Sequence, residues 1–367
     1  MKKTLSIILS AAFLTCTVSG QLTAFGAEGL KGDANIDSYV NLDDAVTVLD
    51  TYAGIAAGIE GAAYCEQADT DEDGKITLDD AVYILSYYTQ TAAGLSPDWN
   101  TLLGIDEGID VTISMSGLNS TYALLLDAQT GEVIAEKNGY ATVYPASMTK
   151  IMTAILTIES FEDVNTPITM PYDALQAAWN GGASTSGFAS GAKITVLDLL
   201  YGMLLPSGCD CCFAAAYELC GTEEAFVELM NQKAQELGMT GTHFANCTGL
   251  PDPNHYTTPY DMTILMRYAI QNDIFRQVDT AQSYTATNGH YMKSTMFKSL
   301  IGTYGTAAVT GGSILGGKTG TTDSAGSCLT SFAEIYGREY ILCTTKAASG
   351  RIADARTVYN RLGGALS

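Results

Sequence analysis

The chain has 367 residues, 47% of them hydrophobic, and a formal net charge of -22. That length exceeds one ordinary domain and supplies a sizeable core. The acidic balance repels phosphate backbones and excludes nucleic acid as a partner. In chain order, Lys2 and Lys3 precede an apolar run from Leu5 to Val18 and small residues to Ala27. This reads as a signal peptide over 1–27, so the mature protein is expected to be secreted. No later stretch is apolar enough to span a bilayer.

An internal repeat follows. Asp33 to Asp44 matches Asp69 to Asp80 at an offset of 36 residues, and Leu-Asp-Asp-Ala-Val recurs at 42–46 and 78–82. Oxygen side chains fall at loop positions one, three, five and twelve: Asp33, Asn35, Asp37 and Asp44, then Asp69, Asp71, Asp73 and Asp80. Such spacing wraps hard oxygen ligands around one point and predicts two structural Ca2+ ions. Gly74 suits the sharp turn at position six, and Ser38 suits it less well. Each loop runs into an amphipathic helix, with Ala45, Val46 and Leu49 expected to line one face of the first and Ala81, Val82 and Leu85 that of the second. An EF-hand needs a helix before each loop, and Glu28–Gly32 leaves no room for one.

Loop followed by helix, twice, resembles the type I dockerin family over 28–93. The resemblance implies a small α module that binds a cohesin on a scaffold protein. It also implies that Leu42, Asp43, Leu78 and Asp79, at loop positions ten and eleven, choose that partner.

Turn-forming Pro97, Asp98 and Asn100 mark a linker over 94–114. The large domain, 115–367, opens with a hairpin: an apolar Tyr122–Asp127, a turn at Thr130-Gly131 and an alternating Glu132–Lys137. A helical stretch is expected from about Ser147 to Ile274. Strands return at Cys328–Glu334 and Glu339–Thr345 around Gly337. Strands bracketing helices predict an α/β class domain, with one antiparallel sheet and a helical region packed on it.

Ser147-Met-Thr-Lys150 is an S-x-x-K motif after Pro145, with Ile151, Ile155 and Leu156 continuing a helical face. Ser147 is expected at a helix N-terminus with Lys150 one turn on, able to take the hydroxyl proton. Ser190-Gly-Ala-Lys193 also matches but lacks a following helix, so Lys193 reads as a surface lysine. Ser207-Gly208-Cys209 and Lys318-Thr319-Gly320 follow in order. Three motifs in this order carry serine acyl transfer in penicillin-recognising enzymes.

With the segments Tyr144–Ala154, Thr195–Gly208 and Leu237–Leu250, the large domain resembles the D-alanyl-D-alanine carboxypeptidases, the low-molecular-mass penicillin-binding proteins. The resemblance implies a β-lactamase-like, penicillin-recognising serine hydrolase fold. It implies peptidoglycan stem peptides as substrate and β-lactam antibiotics as inhibitors. Ser147 becomes the acylated nucleophile, Lys150 the base and Ser207 a proton shuttle. Cys209, Lys318, Thr319, Gly320 and Thr321 bind substrate, with N–H groups of Ser147 and Thr321 as the oxyanion hole. Cys209 and Cys247 depart from the family's asparagine and proline. They form either a disulfide or two free buried thiols. His243, His255 and His290 need no catalytic role.

Two rival readings are weighed. A class A β-lactamase needs an E-x-x-L-N loop. The nearest string, Glu228-Leu-Met-Asn231, reads as an amphipathic helix with Phe226, Leu229 and Met230 as core. A penicillin-binding module without turnover is opposed by the intact Ser147, Lys150, Ser207 and Lys318.

Overall fold

The computed structural model describes residues 30–58, 65–71, 73–92, 97, 99–103 and 111–367. The expected signal peptide lies outside them. The chain folds as two compact units that divide between Ile105 and Asp106, inside the stretch expected to be a linker.

In the first unit each acidic loop feeds a helix, α1 (Leu42–Ala56) and α2 (Leu78–Ala92). Asn41 caps α1, and Asp44 answers it in a capping box. The buried face is Ala45 with Val48, and Ala81 with Ile84. Of the residues expected on one face, Ala45 and Ala81 are buried and Leu85 packs against the core, whereas Val46 is 47%, Leu49 39% and Val82 55% exposed. Both faces of these helices are apolar, so periodicity could not say which one turns inward. A short helix α3 (Trp99–Leu103) stands in the stretch expected to be a turn-rich linker. Its Trp99 stacks on Tyr87 with ring centroids 4.4 Å apart, which ties that segment to the first unit.

The second unit is built on a six-stranded antiparallel sheet. Its strands are β1 (Tyr122–Asp127), β2 (Val133–Lys137), β7 (Ala308–Val309), β8 (Gly312–Thr322), β9 (Gly326–Ile335) and β10 (Arg338–Ala347). They lie in the order β2-β1-β10-β9-β8-β7, so the two ends of the domain's sequence meet in adjacent strands. Between them run α4 (Lys150–Ser160), β3 (Pro167–Thr169), α5 (Tyr172–Asn180), β4 (Lys193–Thr195) and α6 (Val196–Leu204). Then come α7 (Cys209–Cys220), α8 (Glu223–Glu236), α9 (Pro259–Ala269), α10 (Asp273–Asp279), β5 (Ser283–Thr285), β6 (Tyr291–Lys293) and α11 (Thr295–Tyr304). The expected helical stretch is thus interrupted by the ribbon β3–β4.

The sheet buries both faces. Leu124, Leu126, Ile341 and Phe332 pack with α4, α6, α7 and α9. Leu125, Leu342, Leu329 and Ile314 pack with α11 and with α12 (Arg351–Leu366). A strand buried on both sides reads as a continuous apolar run, as 122–127 does. Helix α12 follows the last strand and had no sequence expectation. Within α8, Phe226 and Met230 are core as expected, whereas Leu229 is 37% exposed.

Candidate active site

Ser147 lies in a 3-10 turn, Ala146–Thr149, that runs directly into α4. It therefore precedes the α-helix by one turn instead of opening it. Ala146 is held at φ 49°, a left-handed conformation that costs a non-glycine residue free energy and recurs at functional sites. The turn is clamped from two sides. A Cβ at Gly249 would fall 1.9 Å from the Ala146 carbonyl oxygen, and one at Gly320 would fall 3.2 Å from the Ser147 nitrogen. Since Gly249 also has φ 85°, Gly249→Ala is expected to displace Ser147 and slow acylation by about 10²-fold or more. A native labelling rate with a fluorescent penicillin would contradict this.

The Lys150 ammonium is fully buried and donates to Ser147 Oγ at 2.9 Å and to the Thr248 carbonyl at 2.7 Å. Burial works to lower its pKa; Cys209, then Cys212 and Cys247, raise it above the ordinary lysine value when they carry charge. Burial drives the Cys212 and Cys247 thiols well above their usual range. Both thiols are uncharged at neutral pH, which weakens their share of the upward pull on Lys150.

Ser207 sits at φ 66° just before α7 and receives a hydrogen bond from Lys318 Nζ at 2.9 Å. Lys318 is 1% exposed and donates also to the Thr319 carbonyl at 2.9 Å. Burial, then the charge of Lys150, pulls its pKa down to about 7. Thr319 Oγ1 lies 2.9 Å from Thr295 Oγ1. Ser147, Ser207, Cys209, Thr248, Thr319, Gly320 and Thr321 line one cleft of about 520 Å³. All the serine-site residues expected from sequence thus belong to one place, and Lys193 is exposed, bonded to Thr169 Oγ1.

Sequence reasoning missed Arg351. From the first turn of α12 its guanidinium lines the cleft and donates to the Gly320 carbonyl at 2.7 Å and to Thr321 Oγ1 at 2.5 Å. A fork of donors beside a cleft suits a carboxylate, and only the unexpected helix places it there. Asn246 had no role in the sequence expectation. Its Oδ1 accepts the backbone N–H groups of Thr248, Gly249 and Leu250 and so shapes the loop over Ser147.

All eight described cysteines are free, which settles the Cys209–Cys247 alternative toward buried thiols in this structure. Cys209 lies close enough to Lys150 to act on its charge. Cys247 is fixed by its backbone, accepting from Thr153 Oγ1 at 2.6 Å and donating to Glu223 at 3.0 Å.

His255 plays a structural part. Its Nδ1 accepts the Ala245 N–H at 3.0 Å, so Nε2 carries the proton and donates to Thr149 Oγ1 at 2.7 Å. Burial lowers its pKa to about 4. The unfolded chain takes this proton near pH 6.5, so stability present above pH 6.5 is lost as pH falls toward 4. The loss attributable to His255 is on the order of 3 kcal/mol. His255→Gln is expected to flatten the urea-unfolding midpoint across that window; an unchanged slope would remove the assignment.

In the first unit, ligand oxygens of Asp33, Asp37 and Asp44 lie within 4.8 Å of one another, as do those of Asp69, Asp71 and Asp73. Asp33 accepts from the backbone of Asp37 and Ser38, and Asp69 from Asp73 and Gly74. Asn35 Oδ1 accepts from Asp37, and Asp80 from Thr70 and Thr77. The Asp71 carboxyl is held above its ordinary range by partial burial and by the charges of Asp80, Asp73 and Asp69. Carboxylates that converge in this way fit a hard divalent cation. Ser38 at φ 73° and Gly74 at φ 83° make the two sharp turns, the former at a cost that glycine avoids.

Comparison with known proteins decides the family. The D-alanyl-D-alanine carboxypeptidase family, peptidase S11, matches residues 110–349. The chain belongs to this family. It is 34% identical over 214 residues to D-alanyl-D-alanine carboxypeptidase DacF of Bacillus subtilis, covering 58% of this chain and 53% of that one. It is 30% identical over 247 residues to the D-alanyl-D-alanine carboxypeptidase of Streptomyces sp. strain K15, covering 63% and 82%. The chain thus spans about half of the Bacillus relative. An S96A form of the Streptomyces K15 DD-transpeptidase superposes with a TM-score of 0.61 at 27% identity, over 68% of this chain and 98% of that one. The second unit has the family's α/β penicillin-recognising serine hydrolase fold, with its antiparallel sheet and helical region.

Proposed function

We propose that the chain is a serine D-alanyl-D-alanine carboxypeptidase acting on peptidoglycan stem peptides, secreted and attached to a scaffold through a dockerin. The observation that carries the catalytic reading is the pair of contacts Lys150–Ser147 and Lys318–Ser207, both 2.9 Å, opening on one cleft.

The peptide's terminal carboxylate lies between Thr319, Thr321 and Arg351, whose donors are placed for it. Lys150 accepts the Ser147 proton as Oγ attacks the penultimate carbonyl carbon. The N–H groups of Ser147 and Thr321 take the developing oxyanion. The C–N bond then breaks. The leaving D-alanine amine gains that proton, passed from Lys150 through the Ser207 hydroxyl held by Lys318; Lys150 is neutral again and an ester remains on Ser147. Water, deprotonated by Lys150, releases the shortened peptide. The same ester passed to an amine would be transpeptidation, and the ratio of products distinguishes the two. A β-lactam acylates Ser147 by the same attack, but its leaving amine stays tethered.

The dockerin reading rests on the duplicated acidic loops and on an exposed apolar stripe. Leu42, Val46 and Leu49 on α1 are 52%, 47% and 39% exposed, and Leu78 and Val82 on α2 are 50% and 55% exposed. Asp33, Asn35, Asp37 and Asp44, then Asp69, Asp71, Asp73 and Asp80, would hold two calcium ions, which supply a folding constraint and no catalysis. A cohesin binding Leu42, Asp43, Leu78 and Asp79 would cover part of that stripe. Capture of the full chain on an immobilised type I cohesin, in calcium but not in chelator, tests this; equal capture in both would reject it.

A further inference from the structure

The active site encloses two lysines, and the residues assigned so far do not balance their charge. Lys318 is faced by Lys150 at the start of α4, by Cys209 and Cys212 on α7, by the Ser207 hydroxyl and by Asp279, the last residue of α10. Asp279 brings a carboxyl to this group. It is only 4% exposed, and its carboxyl faces the Gly317 N–H, which favours its charged form. Its Oδ2 has no hydrogen-bond partner among the described residues. A buried carboxylate oxygen without a donor is costly and calls for a physical reason.

The strand supplies that reason. Asp279 Oδ2 rests against bare Gly316: a Cβ built there would fall 2.8 Å away. Gly316 and Lys318 pair in regular register with Phe332 and Thr330 of β9. Residues two apart share one face of a strand, so the carboxyl occupies the room Gly316 leaves, one pleat (roughly 7 Å) before Lys318. We propose that Asp279 is a positioning residue of this active site, the buried counter-charge that keeps Lys318 an ammonium, donating to Ser207, at neutral pH. Burial raises the Asp279 carboxyl to about 7, against the pull of Lys318, and burial with Lys150 lowers Lys318 to a similar value. Each therefore holds the other charged in a place where either alone turns neutral.

The proposal rests on the catalytic reading above. Asp279→Asn keeps the side chain's shape and an oxygen to face the Gly317 N–H while removing the charge. The rate of acylation by a fluorescent penicillin is measured from pH 5 to 9 for native full chain and variant. The native rate is expected to fall on the alkaline side as Lys318 loses its proton. In the variant that limb moves about one pH unit lower, so the rate at pH 7.5 drops about tenfold while that at pH 5.5 stays within about twofold. Superimposed profiles, or an equal loss at every pH, overturn the proposal. A native enzyme that is acylated at no pH would instead overturn the catalytic reading. Asp279→Ser carries the same expectation. A measurement on the native chain needs no folded Asp279 variant: the Lys318 Nζ resonance in 15N-lysine protein, assigned by its loss in Lys318→Arg, should report an ammonium at pH 6. A neutral amine there overturns the proposal.

Discussion

Ser147→Ala is expected to abolish covalent capture of penicillin and to slow release of D-alanine by at least about 10³-fold, the scale on which removing a nucleophile acts. The reason is chemical. Ser147 Oγ is the hydroxyl that Lys150 addresses at 2.9 Å, at the mouth of the cleft. Ser207 Oγ instead accepts a hydrogen bond from Lys318. Lys150→Ala is expected to cost about 10²–10⁴-fold in acylation, the range for a positioned general base, and to leave the adduct on Ser147 when it forms. A penicillin adduct mapped by mass spectrometry to any residue other than Ser147 would contradict the assignment.

The second large effect concerns calcium. Chelation is expected to unfold the first unit and to leave the second intact. That unit's buried core holds only Ala34, Ala45, Val48, Ala68, Ile76, Ala81 and Ile84 among the described residues. Against it stand acidic loops whose buried Asp44 and Asp80 are fully enclosed. So small a core supplies little free energy, and most of the unit's stability would be metal-linked. The chain has two tryptophans, Trp99 stacked on Tyr87 and the exposed Trp179 in α5. In a Trp179→Phe background, chelator should shift Trp99 emission to the red and calcium should restore it, while penicillin labelling is unchanged. Emission indifferent to chelator would mean that the loops are not calcium sites.

Much of the active site was legible because its chemistry is local. Ser147 and Lys150 are one turn apart, and Lys318 to Gly320 is a contiguous run, so spacing alone relates them. The hairpin at Tyr122–Asp127 showed as an apolar run because both faces of β1 are buried. What stayed hidden depends on distant packing. Arg351 reaches the cleft only because α12 begins as β10 leaves the sheet, and nothing in 351–366 announces a partner at Gly320. Asp279 looks like an ordinary acidic residue at a helix end until the sheet sets Gly316 against it. In α1, Val46 and Val48 are equally apolar, and only the fold shows that Val48 is inside and Val46 outside. The stacking of Trp99 was obscured by its neighbours Pro97 and Asp98, which favour turns.

The catalytic claim is tested most directly by incubating the full chain with a peptide ending in D-Ala-D-Ala and measuring free D-alanine alongside the shortened peptide. One D-alanine per shortened peptide is expected, abolished by Ser147→Ala and by stoichiometric penicillin. Folded protein that releases no D-alanine, or release that persists in Ser147→Ala, would contradict it.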